Sequence, residues 1–281
     1  MLIFSYLDSI LWCVLLFRNV FRYVDWWNIY REIANALNIE FKQDYIATNI
    51  ASYLISNIDP PLNDLSNIIF NRDVVVFGAG PSLVKHIDMI RRYIELNRFV
   101  IVAANGATKA LVENGFIPHI IVSDLDGDLD AILFAISKGS YIAIHVHGDN
   151  IEIFIDFIQR ILRFSRRFVV TTQIEAIYPV FNFGGFTDGD RAVILALSFY
   201  PKTMVLAGMD FGDVVGKYSK PWMDKDSIAV PKKRIKLDFG RRIISEALCR
   251  SNVEIYVLPP TNIDKCVNVL YSIDDIKKRF T

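Results

Sequence analysis

Residues 73–83, DVVVFGAGPSL, decide how this chain folds. A continuous apolar run, Val74 to Phe77, leads straight into Gly78, Ala79, Gly80 and Pro81, and helical spacing follows from Leu83 to Leu96. A strand that is apolar throughout, rather than at alternate positions, is covered on both faces. That is the mark of a parallel sheet flanked by helices. Pro81 suits the first helical position, and the glycines allow close approach of a ligand to the backbone. Unpaired N–H groups at this helix start, around Ser82, are suited to a phosphate. The dinucleotide fingerprint is not met. Leu83 stands at the third glycine position of GxGxxG, and the next strand ends in Asn105 rather than an acidic residue.

The same rhythm spreads outward from this stretch. FVIVAAN (99–105), IIVSD (120–124), YIAIHV (141–146), FVVTT (168–172), TMVLAG (203–208) and VEIYVLP (253–259) read as further strands, most of them separated by helical segments. The expected fold is α/β: a mainly parallel, Rossmann-like sheet over residues 71–281 with helices on both faces. A small helical region, residues 25–70, precedes it. There Trp26, Ile29, Tyr30, Ile33 and Leu37 recur at three- and four-residue intervals, and a second helix is expected from Asp44 to Leu54. NIDPPLNDLSN (57–67) reads as a linker.

Residues 1–24 form an apolar extension. Leu2 to Phe17 falls short of the roughly twenty apolar residues of a spanning helix and includes Asp8. No basic residue precedes the apolar run, as one would in a signal peptide. The extension is read as a packing helix or a start from an upstream codon, with membrane contact through residues 1–22 as the alternative. The protein is expected to be soluble and cytoplasmic. Thirty-one basic residues balance thirty-one acidic ones, which argues against a general nucleic-acid binder. Cys13, Cys249 and Cys266 lie far apart without CxxC spacing, so they suit a reducing interior and offer no metal cage.

Polar and glycine residues gather at the carboxyl ends of the strands, where ligands bind in open α/β sheets. In VSDLDGDLD (122–130), Asp124 and Asp126 are two apart on an extended segment and can point the same way, as a Mg²⁺ site requires. Asp128 reads as a helix N-cap and Asp130 as a first-turn residue. His145 and His147 share a face by the same spacing and suit hydrogen bonds to a phosphate or substrate better than a zinc site. Asp149 is expected to cap the next helix. In NFGGFTDGDRA (182–192), Thr187 and Asp190 have capping-box spacing. Arg191 beside Gly184 and Gly185 suits bidentate phosphate contact, and Asp188 is a candidate for metal or substrate. Asp210 is another carboxylate at a strand end. Beyond it, a long, irregular, basic segment holds ten Lys/Arg against five Asp/Glu between Asp213 and Arg250. Its charge suits closure over phosphates through Lys217 and Lys220.

Taken in order, GAGPSL, VSDLDGD, HVHGDN, NFGGFTDGDRA and GMDFG…GKYSKP resemble the archaeal 6-hydroxymethyl-7,8-dihydropterin diphosphokinases of the MptE-like family, over roughly Asp25 to Pro259. The resemblance implies a catalytic fold similar to that of thiamine diphosphokinases. It also implies Mg²⁺-dependent transfer of diphosphate from ATP, the co-substrate, to a pterin hydroxymethyl group, with release of AMP, in tetrahydromethanopterin-type cofactor synthesis. Asp124 and Asp126 would hold the metal, Arg191 and the lysines would neutralise charge, and Asp188 or Asp210 would orient the hydroxyl. Similar sequences tend to read ADGA after the second strand, whereas this chain has Asn105 there. Two other readings use the same residues: a metal-dependent glycosyltransferase with a nucleotide-sugar donor, and a nucleotide-binding module without turnover. The sequence does not speak to oligomeric state.

Overall fold

The computed structural model describes residues 23–280. Nine strands form one sheet. In chain order they are β1 (Asp73–Phe77), β2 (Val100–Ala104), β3 (Ile120–Ser123), β4 (Tyr141–His145), β5 (Phe168–Thr171), β6 (Val180–Phe181), β7 (Thr203–Ala207), β10 (Glu254–Val257) and β11 (Asn268–Val269). Their spatial order is β11-β10-β7-β1-β2-β3-β4-β5-β6, and every pairing is parallel. From β1 the chain steps outward to β6, then returns to lay β7 against the other side of β1. The order therefore reverses between β1 and β7, the place where such sheets open a crevice for ligands. A separate antiparallel pair, β8 (Val214–Val215) with β9 (Ser227–Ile228), stands beyond β7.

Strand periodicity explains the continuous apolar runs. Val74 and Val76 face one layer while Val75 and Phe77 face the other, and all four are buried. The first layer holds α1 (Trp26–Leu37), α3 (Leu62–Ile69), α8 (Asp188–Ser198) and α9 (Pro231–Arg250). The second holds α4 (Leu83–Glu95), α5 (Ala107–Glu113) and α10 (Ile273–Phe280) against the centre and β10. Across β3 to β5 it holds α2 (Phe41–Leu54), α6 (Leu129–Ser137) and α7 (Ile151–Ile161). Residues Asp190 to Ser198 of α8 are all buried, as an apolar-all-round helix requires, and α8 lies across β1, β2 and β3. Its amino end is thereby delivered to the carboxyl ends of the central strands.

Several expectations need correction. The Pro-rich linker contains α3, whose Leu62, Leu65 and Ile69 are buried. The long basic segment is not irregular: it is the β8–β9 hairpin followed by twenty residues of helix, started by Pro231 at its first position. Strands β6 and β11, of two residues each, carry too little sequence to be read. Cys249 and Cys266 form a disulfide from the end of α9 to the loop before β11, against the reading of unpaired cysteines. Cys13 and the extension up to residue 22 lie outside the described residues. Among the described residues no helix is long and apolar enough to cross a membrane.

The disulfide closes a loop with a sequence separation of 17 residues. By chain entropy such a closure contributes about 3 kcal/mol. Denaturant unfolding with and without a thiol reductant should show a loss of that order, and equal midpoints would mean that the bridge contributes nothing.

Candidate active site

Strands β1, β2, β3 and β7 end at one cleft of about 210 Å³, lined by Gly78 to Pro81, Asn105, Asp124, Asp126, Thr187, Asp188, Arg191, Asp210, Lys220, Lys233 and Lys236, among others. At its floor the carboxylates of Asp124, Asp126 and Asp188 converge, with one oxygen of each within 4.8 Å of the others. At that range two ionised carboxylates repel by roughly 3.5 kcal/mol at an effective dielectric of about 20. One neutral donor binds the cluster together. Asn105 Nδ2 donates to Asp126 at 2.6 Å, to Asp188 at 3.2 Å and to Asp124 at 3.4 Å, while its Oδ1 accepts from Ser123 Oγ at 3.1 Å.

The charges respond to this crowding. Burial, then the Asp124 charge, pushes Asp188 well above the ordinary carboxylate range. Burial and Asp126 likewise raise Asp124. Burial also works to raise Asp126, but the Lys220 ammonium, which ion-pairs with it, outweighs that and leaves it lowered. Asp188 Oδ1 has no hydrogen-bond partner, and Arg191 Nη1 stands 3.7 Å from it. The three carboxylates are hard oxygen donors with one free atom already buried among them. That set fits Mg²⁺, and no histidine joins it.

Asp188 comes to the cluster because of how α8 begins. The carboxylate of Asp190 accepts from the N–H groups of Phe186 at 2.6 Å and Thr187 at 2.7 Å, and also from the Thr187 hydroxyl. This capping box, with Thr187 as the N-cap, fixes the start of the helix at Asp188. Gly185, at φ +94°, sits so close to Arg191 that a Cβ would meet its Cα at 2.8 Å. Asp128 caps α6 as expected, accepting from Ala131 N–H, and pairs with Lys109 at 2.9 Å.

The glycine turn differs from its sequence reading. Helix α4 begins at Leu83, so Pro81 precedes the helix and Ser82 is its N-cap. The N–H groups of Gly78, Gly80 and Ser82 are already engaged, by Ala207 O, Gly208 O and the Asp210 carboxylate. Asp210 also accepts from Ser82 Oγ at 2.8 Å. Gly78 and Gly208 lie so close that a Cβ on Gly78 would be 2.7 Å from Gly208 O. These glycines let β1 and β7 clasp each other, and Asp210 locks the clasp.

The remaining candidates separate. Lys220 reaches Asp126, whereas Lys217 lies over the Tyr218 ring and does not line the cleft. His145 is fully buried, bonded through Nδ1 to Thr171 Oγ1 at 3.1 Å, and burial holds it well below the usual histidine range. It therefore does not reach the cleft. His147 Nδ1 accepts from Asp149 N–H, so the proton sits on Nε2, 4.0 Å from Asp124 Oδ2. His147, not Asp149, caps the turn that follows. Sequence reasoning missed Lys233 and Lys236 on α9. Both line the cleft with no ion pair among the described residues, and burial lowers the proton affinity of each. Their i, i+3 spacing after Pro231 was the available signal.

A buried carboxylate raised in the fold destabilises the protein above its unfolded value, and that loss grows with pH until the folded value is passed, after which it is complete. Asp188→Asn should therefore raise the metal-free thermal midpoint at pH 8, and the gain should shrink toward pH 4. It should also abolish the stabilisation that millimolar Mg²⁺ gives the wild type. A lower midpoint for the variant at pH 8 would contradict this electrostatic picture.

The family match and the sequence relatives point to one family. Residues 48–216 match the family described as 6-hydroxymethylpterin diphosphokinase MptE-like. A 6-hydroxymethyl-7,8-dihydropterin pyrophosphokinase of Methanocaldococcus jannaschii is 38% identical over 225 residues, 79% of this chain and 93% of the relative. The protein of that name from Methanothermobacter thermautotrophicus is 44% identical over 173 residues, 61% of this chain and 72% of the relative. Among solved structures, MAf glycosyltransferase from Magnetospirillum magneticum AMB-1 aligns with a TM-score of 0.43 at 14% identity, over 75% of this chain and 36% of its own. The family match over residues 48–216 and the relative from Methanocaldococcus jannaschii show that the chain belongs to the MptE-like 6-hydroxymethylpterin diphosphokinase family.

Proposed function

We propose that this protein transfers diphosphate from ATP to the hydroxymethyl group of 6-hydroxymethyl-7,8-dihydropterin and releases AMP. The observation that carries the proposal is the juxtaposition of three carboxylates with four cations, Arg191, Lys220, Lys233 and Lys236, in one cleft at the strand-order reversal. The family relationship supports a pterin acceptor, and the reading places the reaction in a pterin cofactor synthesis of the tetrahydromethanopterin or folate type.

Asp124, Asp126 and Asp188 would hold Mg²⁺, which when bound supplies charge neutralisation on the phosphate oxygens. The protein's own part is positioning and electrostatic stabilisation, the main demands of phosphoryl-type transfer. Lys233 and Lys236 project from one face of α9 toward the carboxylates and bind the phosphate tail. Lys220, carried on the β8–β9 segment, exchanges Asp126 for a phosphate oxygen as substrate enters. The acceptor hydroxyl oxygen forms a bond to the β-phosphorus, the bond from that phosphorus to the oxygen bridging to the α-phosphate breaks, and AMP departs with that oxygen. Asp210 is committed to Ser82. Asp188, whose Oδ1 is reserved for the cation, is the better placed group to orient the hydroxyl through Oδ2, which accepts from Asn105 before substrate enters, and to take its proton there. Engagement of the glycine-turn N–H groups leaves the side-chain cations, rather than that backbone, as the main phosphate contacts.

The test is purified protein with ATP, Mg²⁺ and 6-hydroxymethyl-7,8-dihydropterin, read for AMP. Asp124→Asn and Asp126→Asn should each lower turnover at least tenfold, about 1.4 kcal/mol of transition-state stabilisation, while the protein stays folded. Full activity in both folded variants would remove these residues from the site. Release of UDP or CMP from a nucleotide-sugar, with no AMP from ATP, would replace the proposal with a glycosyltransferase.

A further inference from the structure

Arg191 is the buried cation nearest Asp188, and its position is set from outside the cleft. Its Nη2 donates to Gln173 Oε1 at 3.2 Å, and Gln173 Nε2 donates to Asp44 Oδ2 at 2.6 Å. The amide can point only this way, because a carboxylate needs the N–H end and a guanidinium needs the oxygen. Asp44 is fixed in turn by Tyr30 OH at 3.1 Å and by Gly148 N–H at 3.0 Å. The Gln173 main chain is fixed too, since its carbonyl accepts from Trp26 Nε1 at 2.8 Å. Asp44, Gln173, Trp26 and Tyr30 are all buried. Three of these anchors, Trp26, Tyr30 and Asp44, precede residue 48, where the family match begins.

At the other end of this chain the bonding is incomplete. Arg191 Nε and Asp188 Oδ1 are both buried without hydrogen-bond partners. The guanidinium and that carboxylate remain 3.7 Å apart, longer than the roughly 2.7–2.9 Å of a closed charge-assisted bond. A guanidinium and an unpartnered carboxyl oxygen at this distance gain a hydrogen bond by closing up unless something holds one of them. The bond from Gln173 to Arg191 is that restraint.

We infer that Asp44 and Gln173 are positioning residues that hold Arg191 back from Asp188, keeping the third carboxylate open for a divalent cation. Arg191 then acts through its field rather than by occupying the ligand. The helices before the sheet become part of the cation site, although none of their residues reaches the cleft. The inference rests on reading the three aspartates as a cation site and is independent of the acceptor's identity.

Mn²⁺ alone, titrated into the full-length protein and followed by electron paramagnetic resonance, tests it. Gln173→Met keeps the side-chain length and removes both bonds. Its affinity for Mn²⁺ should fall at least fivefold with the thermal midpoint near that of the wild type. Asp44→Ala should act in the same direction, and if that variant fails to fold, Gln173→Met decides. In an Arg191→Met background, Gln173→Met should have no further effect, because the restraint has nothing left to hold. A merely structural glutamine would lower affinity equally in both backgrounds. Unchanged Mn²⁺ affinity in folded Gln173→Met, or an equal loss in the Arg191→Met background, overturns the inference while leaving the cation site standing. A wild type that binds no Mn²⁺ removes both. A wild type that binds Mn²⁺ with this dependence, yet makes no AMP from ATP and the pterin, removes the proposed reaction alone.

Discussion

Three carboxylates share a space in which each raises the energy of the others, and much of the architecture around the cleft follows from that constraint. Water cannot screen the cluster fully, because Asp124 and Asp188 are largely buried. One amide, Asn105, spans all three aspartates, and one ammonium, Lys220, neutralises the most exposed of them. The tension that remains is visible in the raised proton affinity of Asp188 and in its unpartnered oxygen. A site with this much unrelieved negative charge is prepared for a cation rather than stabilised without one.

The sheet supplies the rigidity that keeps the charges together. Carboxylates two residues apart would separate if their strand end could move, and the end of β3 is tied down by Asn150, whose amide donates to the carbonyls of Asp124 and His145. On the opposite rim, the clasp between Gly78, Gly80 and Gly208, completed by Asp210 and Ser82, fixes where the chain reverses its strand order. Helix α8 then carries Asp188 in from a distant part of the chain, and α9 brings the lysines. The floor is rigid strand ends, and the cations come from helices and from one hairpin segment.

Much of the fold was legible because both faces of the sheet are covered: seven strands stood out as continuous apolar runs, and all seven pair in parallel. The central acids were legible as well, since charge directly behind a buried strand has few structural explanations. What stayed hidden has physical reasons. Helix α9 is so rich in lysine and arginine that its apolar face, Ile243, Ile244, Ala247 and Leu248, occupies only its second half, so its first half reads as loop. Whether the N–H groups of a glycine turn are free depends on β7, more than a hundred residues away. Gln173 and Asp44 carry no local signal, because their roles arise from a meeting of segments far apart in sequence. His145 and Lys217 show the opposite error: correct residue types at a strand end and in a basic segment, with side chains that do not enter the cleft.

The central claim is that one divalent cation binds between Asp124, Asp126 and Asp188 and faces the phosphate tail of a nucleotide. The most direct measurement is anomalous diffraction at the manganese edge from crystals holding Mn²⁺ and a non-hydrolysable ATP analogue. The account predicts a peak at about 2.0–2.6 Å from carboxylate oxygens of Asp124, Asp126 and Asp188, with phosphate oxygens completing the coordination. A peak elsewhere, with these carboxylates still bound only to Asn105 and Lys220, would contradict it.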